Sequence, residues 1–153
     1  MFPGNKRKAV TFSFDDGVTQ DRRLVALFNK YNLKCTFNLN TGIILRSHIF
    51  DKGGFPIEVH RLTVEEMRKI YKGHEIASHT LTHPNLIELS KNEIEREINE
   101  DIENLKAIFH LKSIPCLAYP YGTCNEESKE ILRKHNEEGF PITRLEKEYN
   151  ISQ

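Results

Sequence analysis

The run KAVTFSFDDGVTQDRRLVALFNKYNLKCTFNLN, residues 8–40, decides the fold. It opens with the alternating, β-rich segment KAVTFSF and then changes to helical spacing, with Leu24, Leu27, Phe28 and Tyr31 recurring along QDRRLVALFNKYN. It returns to a strand pattern in KCTFNLN. Strand, helix and strand in succession make a βαβ unit, which joins parallel strands by a right-handed crossover. Asp15 and Asp16 stand side by side where the first strand ends, just before Gly17. Like charges in contact raise the energy unless a cation or a shared proton relieves them, so this junction is the first place to look for chemistry.

The same alternation continues along the chain. From Thr41 to Arg61 the periodicity dissolves into what reads as a long connection containing KGG and a proline, longer than the usual few residues of such links. TVEE at Thr63 is a capping box that predicts a helix to about Lys72, and SKNE at Ser90 is a second that predicts the longest helix, 91–109. HEIASH, IPCLAY and FPITRL read as the third, fourth and fifth strands, and Asn125 as the cap of a helix ending near His135. The expected class is α/β, a (β/α) barrel or a piece of one, within a single domain spanning residues 1–153. Ligands of such sheets collect at the carboxyl ends of the strands. In this register DDG, SHTLTH and YPYG all reach one rim.

Composition narrows the partners. Lysine plus arginine (22) equals aspartate plus glutamate (22), which argues against a nucleic-acid surface or an anionic membrane and favours a polar or neutral ligand. No apolar run approaches the roughly 20 residues of a membrane span, and MFPGNKRKAV lacks the apolar stretch of a signal peptide. On its face the chain reads as cytoplasmic, unless it is an excised domain. Cys35, Cys116 and Cys124 form no CxxC pair, so neither a disulfide framework nor a structural zinc site is expected. Cys35 and Cys116 fall in apolar strand runs and read as core residues.

His79 and His83 are four apart, a spacing that on a helical turn brings two imidazoles to roughly 5–6 Å on one face. That separation suits two ligands of one ion. Asp15 or Asp16, arriving on the same rim, would complete an Asp-His-His set with positions left open for water and substrate, the arrangement of a catalytic rather than a structural metal site.

Taken in order and with these intervals, TFSFDDG, SHTLTH and AYPYG resemble the first three motifs of the polysaccharide deacetylases, carbohydrate esterase family four, which includes chitin, chitooligosaccharide, peptidoglycan and xylan deacetylases. The resemblance implies a distorted seven-stranded (β/α) barrel of the TIM-barrel-like type. It also implies a metal-dependent hydrolase that removes N-acetyl, less readily O-acetyl, groups from an acetylated oligosaccharide or polysaccharide through a metal-activated water. By the same resemblance Asp15 is the general base, and Asp16, His79 and His83 hold one divalent ion, zinc in the first instance, with cobalt, nickel or manganese as alternatives. Pro120, Tyr121 and Gly122 form one wall of the substrate groove, and the backbone N–H of Tyr121 faces the oxyanion.

Two departures from the family pattern are legible. Ala118 stands where the family has an arginine that orients and charge-balances the base, and Arg144 on the fifth strand is the residue expected to replace it. The late Leu-x-His motif, which supplies the general acid, is absent from the 153 residues. The chain is therefore expected to form a barrel truncated at its C-terminal end, with an open sheet edge through which it self-associates. Two alternative functions stay open: an amidase on another non-peptide C–N bond, and a non-catalytic remnant that keeps its metal. Phe55, Tyr119 and Tyr121 are the expected sugar platforms, and His48, His60, His74, His110 and His135 read as surface or strand-flank residues.

Overall fold

The computed structural model describes residues 7–8, 10–51, 53–137 and 144–146. Five parallel strands form one open sheet in the order β1 (Ser13–Asp15), β2 (Thr36–Leu39), β5 (Glu75–Ser78), β6 (Cys116–Ala118) and β7 (Arg144–Glu146). Successive crossovers carry α1 (Asp21–Lys30), α2 (Val64–Ile70), α3 (Lys91–Phe109) and α4 (Glu126–Glu137). The α/β class and the five predicted strands are thus present, with β1 and β7 at the two edges.

Local chemistry explains the helix starts. Thr63 Oγ1 accepts from the Glu66 amide at 3.1 Å while the Glu66 carboxylate accepts from the Thr63 amide at 3.0 Å, which satisfies two otherwise orphaned donors at the start of α2. Ser90 and Glu93 do the same for α3, whose last turn closes on His110 in the left-handed region. Asn125 Oδ1 accepts the Ser128 amide at 2.9 Å and caps α4. Along α3, Ile94, Ile98, Ile102 and Leu105 are buried against the sheet. On the α1 face of the sheet Phe37 stacks on Tyr71 at 4.1 Å and meets Phe14 at 6.1 Å. Cys35 and Cys116 lie in the core, as their strand contexts predict.

The segment expected to be an unstructured connection is not one. It forms a 3-10 turn at Thr41–Ile43 and an antiparallel hairpin, β3 (Ser47–Asp51) with β4 (Pro56–His60). The glycines taken as loop signals turn this hairpin. Gly53 and Gly54 both have positive φ, and the Gly54 amide donates to Asp51 Oδ1 at 2.9 Å. The alternation in SHIF and PIEVH was masked because the hairpin buries neither face, so it shows no apolar period.

Candidate metal centre and groove

The DDG junction resolves its own charge problem by backbone geometry. Asp15 ends β1 in register with Asn38 of β2, and Asn38 Nδ2 donates to Asp15 Oδ1 at 2.7 Å and to Ser13 Oγ at 2.8 Å. Asp16 then enters the left-handed region (φ 74), followed by Gly17 (φ 63), so its carboxylate leaves the sheet in another direction. Aspartate tolerates this conformation better than most residues, whereas a Cβ at Gly17 would come within 2.8 Å of Met67 Cε.

Asp16, His79 and His83 each offer a ligand atom within 4.8 Å of the other two. The two histidines do not sit on a helical turn, as the spacing suggested. They lie on the irregular segment that leaves β5, with Thr80 (φ 66) and His83 (φ 60) in the left-handed region and the imidazole centroids 4.7 Å apart. His79 Nδ1 lies 2.9 Å from the carbonyl of Ala118. A carbonyl can only accept, so Nδ1 carries the proton and Nε2 keeps the lone pair a metal needs. Burial, and then the neighbouring His79, hold His83 below the usual imidazole range, which favours the neutral ligand form. Asp16 Oδ1 is buried without a hydrogen bond. A carboxylate that accepts no hydrogen bond through Oδ1, has Arg61 Nη2 only at 3.6 Å and lies beside two imidazoles gives a donor set fitted to a divalent cation.

Tyr121 (φ 58, ψ 11) sits on a 3-10 turn at Pro120–Gly122, its ring edge-on to His83 at 4.8 Å, with Pro120 buried and Gly122 half-buried. A groove of about 490 Å³ opens over the centre, lined by Asp16, Ile43, His48, Phe50, Arg61, Thr82, His83 and Tyr121. The hairpin therefore supplies one wall and the Tyr121 turn another.

Among the remaining candidate residues, one, Tyr119, needs correction. Tyr119 is buried and offers no platform; Phe50 of β3 takes a place on the groove, while Phe55 is exposed at the hairpin tip. His48 is exposed, as its surface reading predicts, and also lines the groove, with its Nδ1 3.5 Å from Arg61 Nη1. His74 packs against Phe28 and Phe37. The partner seen on Asp15 is Asn38 from the adjacent strand, whereas Arg144 begins β7 at the opposite edge of the sheet, and its side chain lies outside the described residues, as does that of His135. Arg61 supplies the charge near the pair, with its Nη2 3.6 Å from Asp16 Oδ1. A sequence signal for Asn38 exists: it is an amide between Phe37 and Leu39 in a strand that is buried throughout, and buried polar groups have partners.

Among the described residues no helix is long and apolar enough to cross a membrane. Compared with known proteins, 60 residues of the chain are 30% identical to a chitooligosaccharide deacetylase of Sinorhizobium fredii, covering 39% of this chain and 28% of that protein. The fold is similar to the deacetylase PplD of Streptococcus pyogenes (TM-score 0.71, 24% identity, 86% of this chain and 54% of that one). It is also similar to a CE4 family pseudoenzyme of Bacillus anthracis (TM-score 0.63, 22% identity, 85% and 41%). The chain thus spans about half the length, or less, of these relatives. Residues 3–139 match the family described as polysaccharide deacetylase, and with the three motifs converging on one centre, the chain belongs to that family.

Proposed function

We propose that this chain is a metal-dependent hydrolase that removes N-acetyl, and less readily O-acetyl, groups from an acetylated oligosaccharide or polysaccharide. The observation that carries the reading is the meeting of Asp16, His79 and His83 beside a second carboxylate, Asp15, that is bonded elsewhere. Zinc is the ion we assign, with cobalt, nickel and manganese suited by the same donors. Bound there, a divalent ion would lower the pKa of water and polarise the amide carbonyl. Asp15 takes the proton from the attacking water, and Asn38 holds the carboxylate in place for that transfer. The backbone N–H of Tyr121 donates to the developing oxyanion, and Pro120, Tyr121 and Gly122 form the wall on which the sugar lies. The open sheet corresponds to part of a distorted seven-stranded barrel within one catalytic domain, and its edge strands β1 and β7 support self-association.

Ala118 favours a second reading, a metal-retaining protein without turnover, because it cannot supply the guanidinium that balances the base, and among the described residues no arginine pairs with Asp15; fold likeness alone does not decide between the two. Acetate release from acetylated chitooligosaccharides, with and without added metal, separates them. The wild-type chain is expected to turn over with metal, while Asp15→Asn keeps the ion and loses about 100- to 10,000-fold in rate, the usual worth of a positioned base. A chain that binds metal stoichiometrically and releases no acetate would leave the second reading standing.

A further inference from the structure

Helix α3 carries two acidic residues on its buried face. Glu97 and Asp101 are 2% and 0% exposed, although ionisable groups are rarely so buried without a specific task. Neither belongs to the metal set. Both point at the segment that holds the two histidines. Glu97 Oε2 accepts from the Thr82 amide at 2.8 Å, and Glu97 Oε1 from the Thr82 hydroxyl at 2.9 Å. The Glu97 backbone carbonyl accepts from the Leu81 amide at 2.9 Å. One turn further on, Asp101 Oδ2 accepts from the Ser78 hydroxyl at 2.6 Å, and Asp101 Oδ1 from the amide and hydroxyl of Thr41 at 2.8 and 2.7 Å.

The segment needs this restraint. Thr80 is β-branched and sits at φ 66, and His83 is itself at φ 60; such conformations are strained and persist only where the surroundings over-determine them. The β2 end adds the remaining ties. Asn40 Nδ2 donates to the carbonyls of His79 and Thr80, and the Gly42 amide donates to the Leu81 carbonyl at 2.8 Å.

We propose that Glu97 and Asp101 act as a two-point clamp that holds residues 78–82 in a strained shape, fixes the separation of His79 and His83, and so sets the affinity and geometry of the metal site. They are positioning residues that touch neither metal nor substrate. The inference rests on the metal reading of the site and goes beyond it by assigning the geometry to α3.

The test is metal titration of the full chain by calorimetry, using zinc for affinity and cobalt for its visible absorption. Thr82→Val removes the hydroxyl that Glu97 Oε1 holds while keeping the side-chain shape and the bond from the Thr82 amide to Glu97 Oε2. It is expected to weaken binding about 10-fold, and Glu97→Gln about 10- to 100-fold, as is usual for groups that orient ligands. Both should change the cobalt spectrum at saturation. Thr82→Ser, which keeps the hydroxyl, should match wild type, and the double variant Glu97→Gln with Thr82→Val should lose no more than Glu97→Gln alone. Folded variants with wild-type affinity and cobalt spectrum, or losses that simply add, would overturn the clamp while uptake by wild type and its loss in His79→Ala left the metal site intact. A wild-type chain that took up no metal would overturn both.

Discussion

The two walls of the groove are built in opposite ways. The segment 78–83 is tied on every side: to α3 through Glu97 and Asp101, to β2 through Asn40 and Gly42, and to β6 through the carbonyl of Ala118. The hairpin 47–60 is exposed along nearly its whole length and, among the described residues, its ties to the rest of the fold lie near its base, where the Thr19 amide donates to the His60 carbonyl and the Leu62 amide to the Gly17 carbonyl. The first wall must place nitrogen lone pairs on an ion, which tolerates little error. The second brings only the exposed side chains of Phe50 and His48 to the groove. Rigidity is concentrated where coordination chemistry requires it, and the hairpin lies at the low-stability end from which binding elements are drawn.

The largest expected effect breaks the comparison outright if it fails. His79→Ala should abolish stoichiometric metal uptake, because two ligands seldom retain a catalytic ion, whereas shortening the hairpin tip between Asp51 and Phe55 should leave uptake unchanged. Loss of the ion on shortening the tip, seen by equilibrium dialysis, would mean that the two walls are one unit.

A second, smaller effect separates the buried side from the hairpin by pH. Burial pushes Asp101 up to about 7 and Asp21 up to about 6, from an ordinary value of 3.8. A group whose folded value is raised stabilises the fold fully below its unfolded value, and that contribution is lost as the pH rises through the folded value. The metal-free chain should therefore lose stability between pH 4 and pH 7. Asp21→Asn, which can still accept from the Tyr71 hydroxyl, should flatten about 2–3 kcal/mol of that fall. Thermal melts of the two chains at pH 4.5 and pH 7.5 measure the difference; parallel curves would remove Asp21 as a cause.

The smallest effect sharpens the role of the hairpin. Phe50→Ala should raise the KM for an acetylated chitooligosaccharide about 3- to 10-fold, equivalent to the ~0.5–1.5 kcal/mol of an aromatic contact. The kcat and the metal affinity should not change, since the contact is the same in ground and transition states. A fall in kcat with KM unchanged would place Phe50 in the chemistry instead.

Sequence reading reached the elements that have strong local causes. Two capping boxes and the apolar stripe of α3 are written in adjacent residues, so its range of 91–109 was recovered in full. The metal residues were legible because two histidines and a carboxylate pair fell at strand ends. What stayed hidden depends on contacts between distant segments. The hairpin has no buried face to imprint a pattern. The partner of Asp15 is set by strand register, which brings together residues 23 apart. Glu97 and Asp101 are visible in principle, as acidic residues beside the stripe of Ile94, Ile98 and Ile102, but the groups they hold lie 15, 23 and 60 residues away in the chain.

The pairing of Asp15 with Asn38 carries one more implication. On β1, Ser13 and Asp15 share the face that Asn38 presents, while Phe14 packs on the opposite face against Phe28 and Phe37. A slip of one residue between β1 and β2 would exchange those faces and drive the carboxylate of Asp15 among aromatic rings, with Phe14 in its place at the rim. Burying an unpaired charge there is far more costly than any lost ladder bond. The side chain proposed as the base would therefore also penalise a misaligned pairing of the two strands.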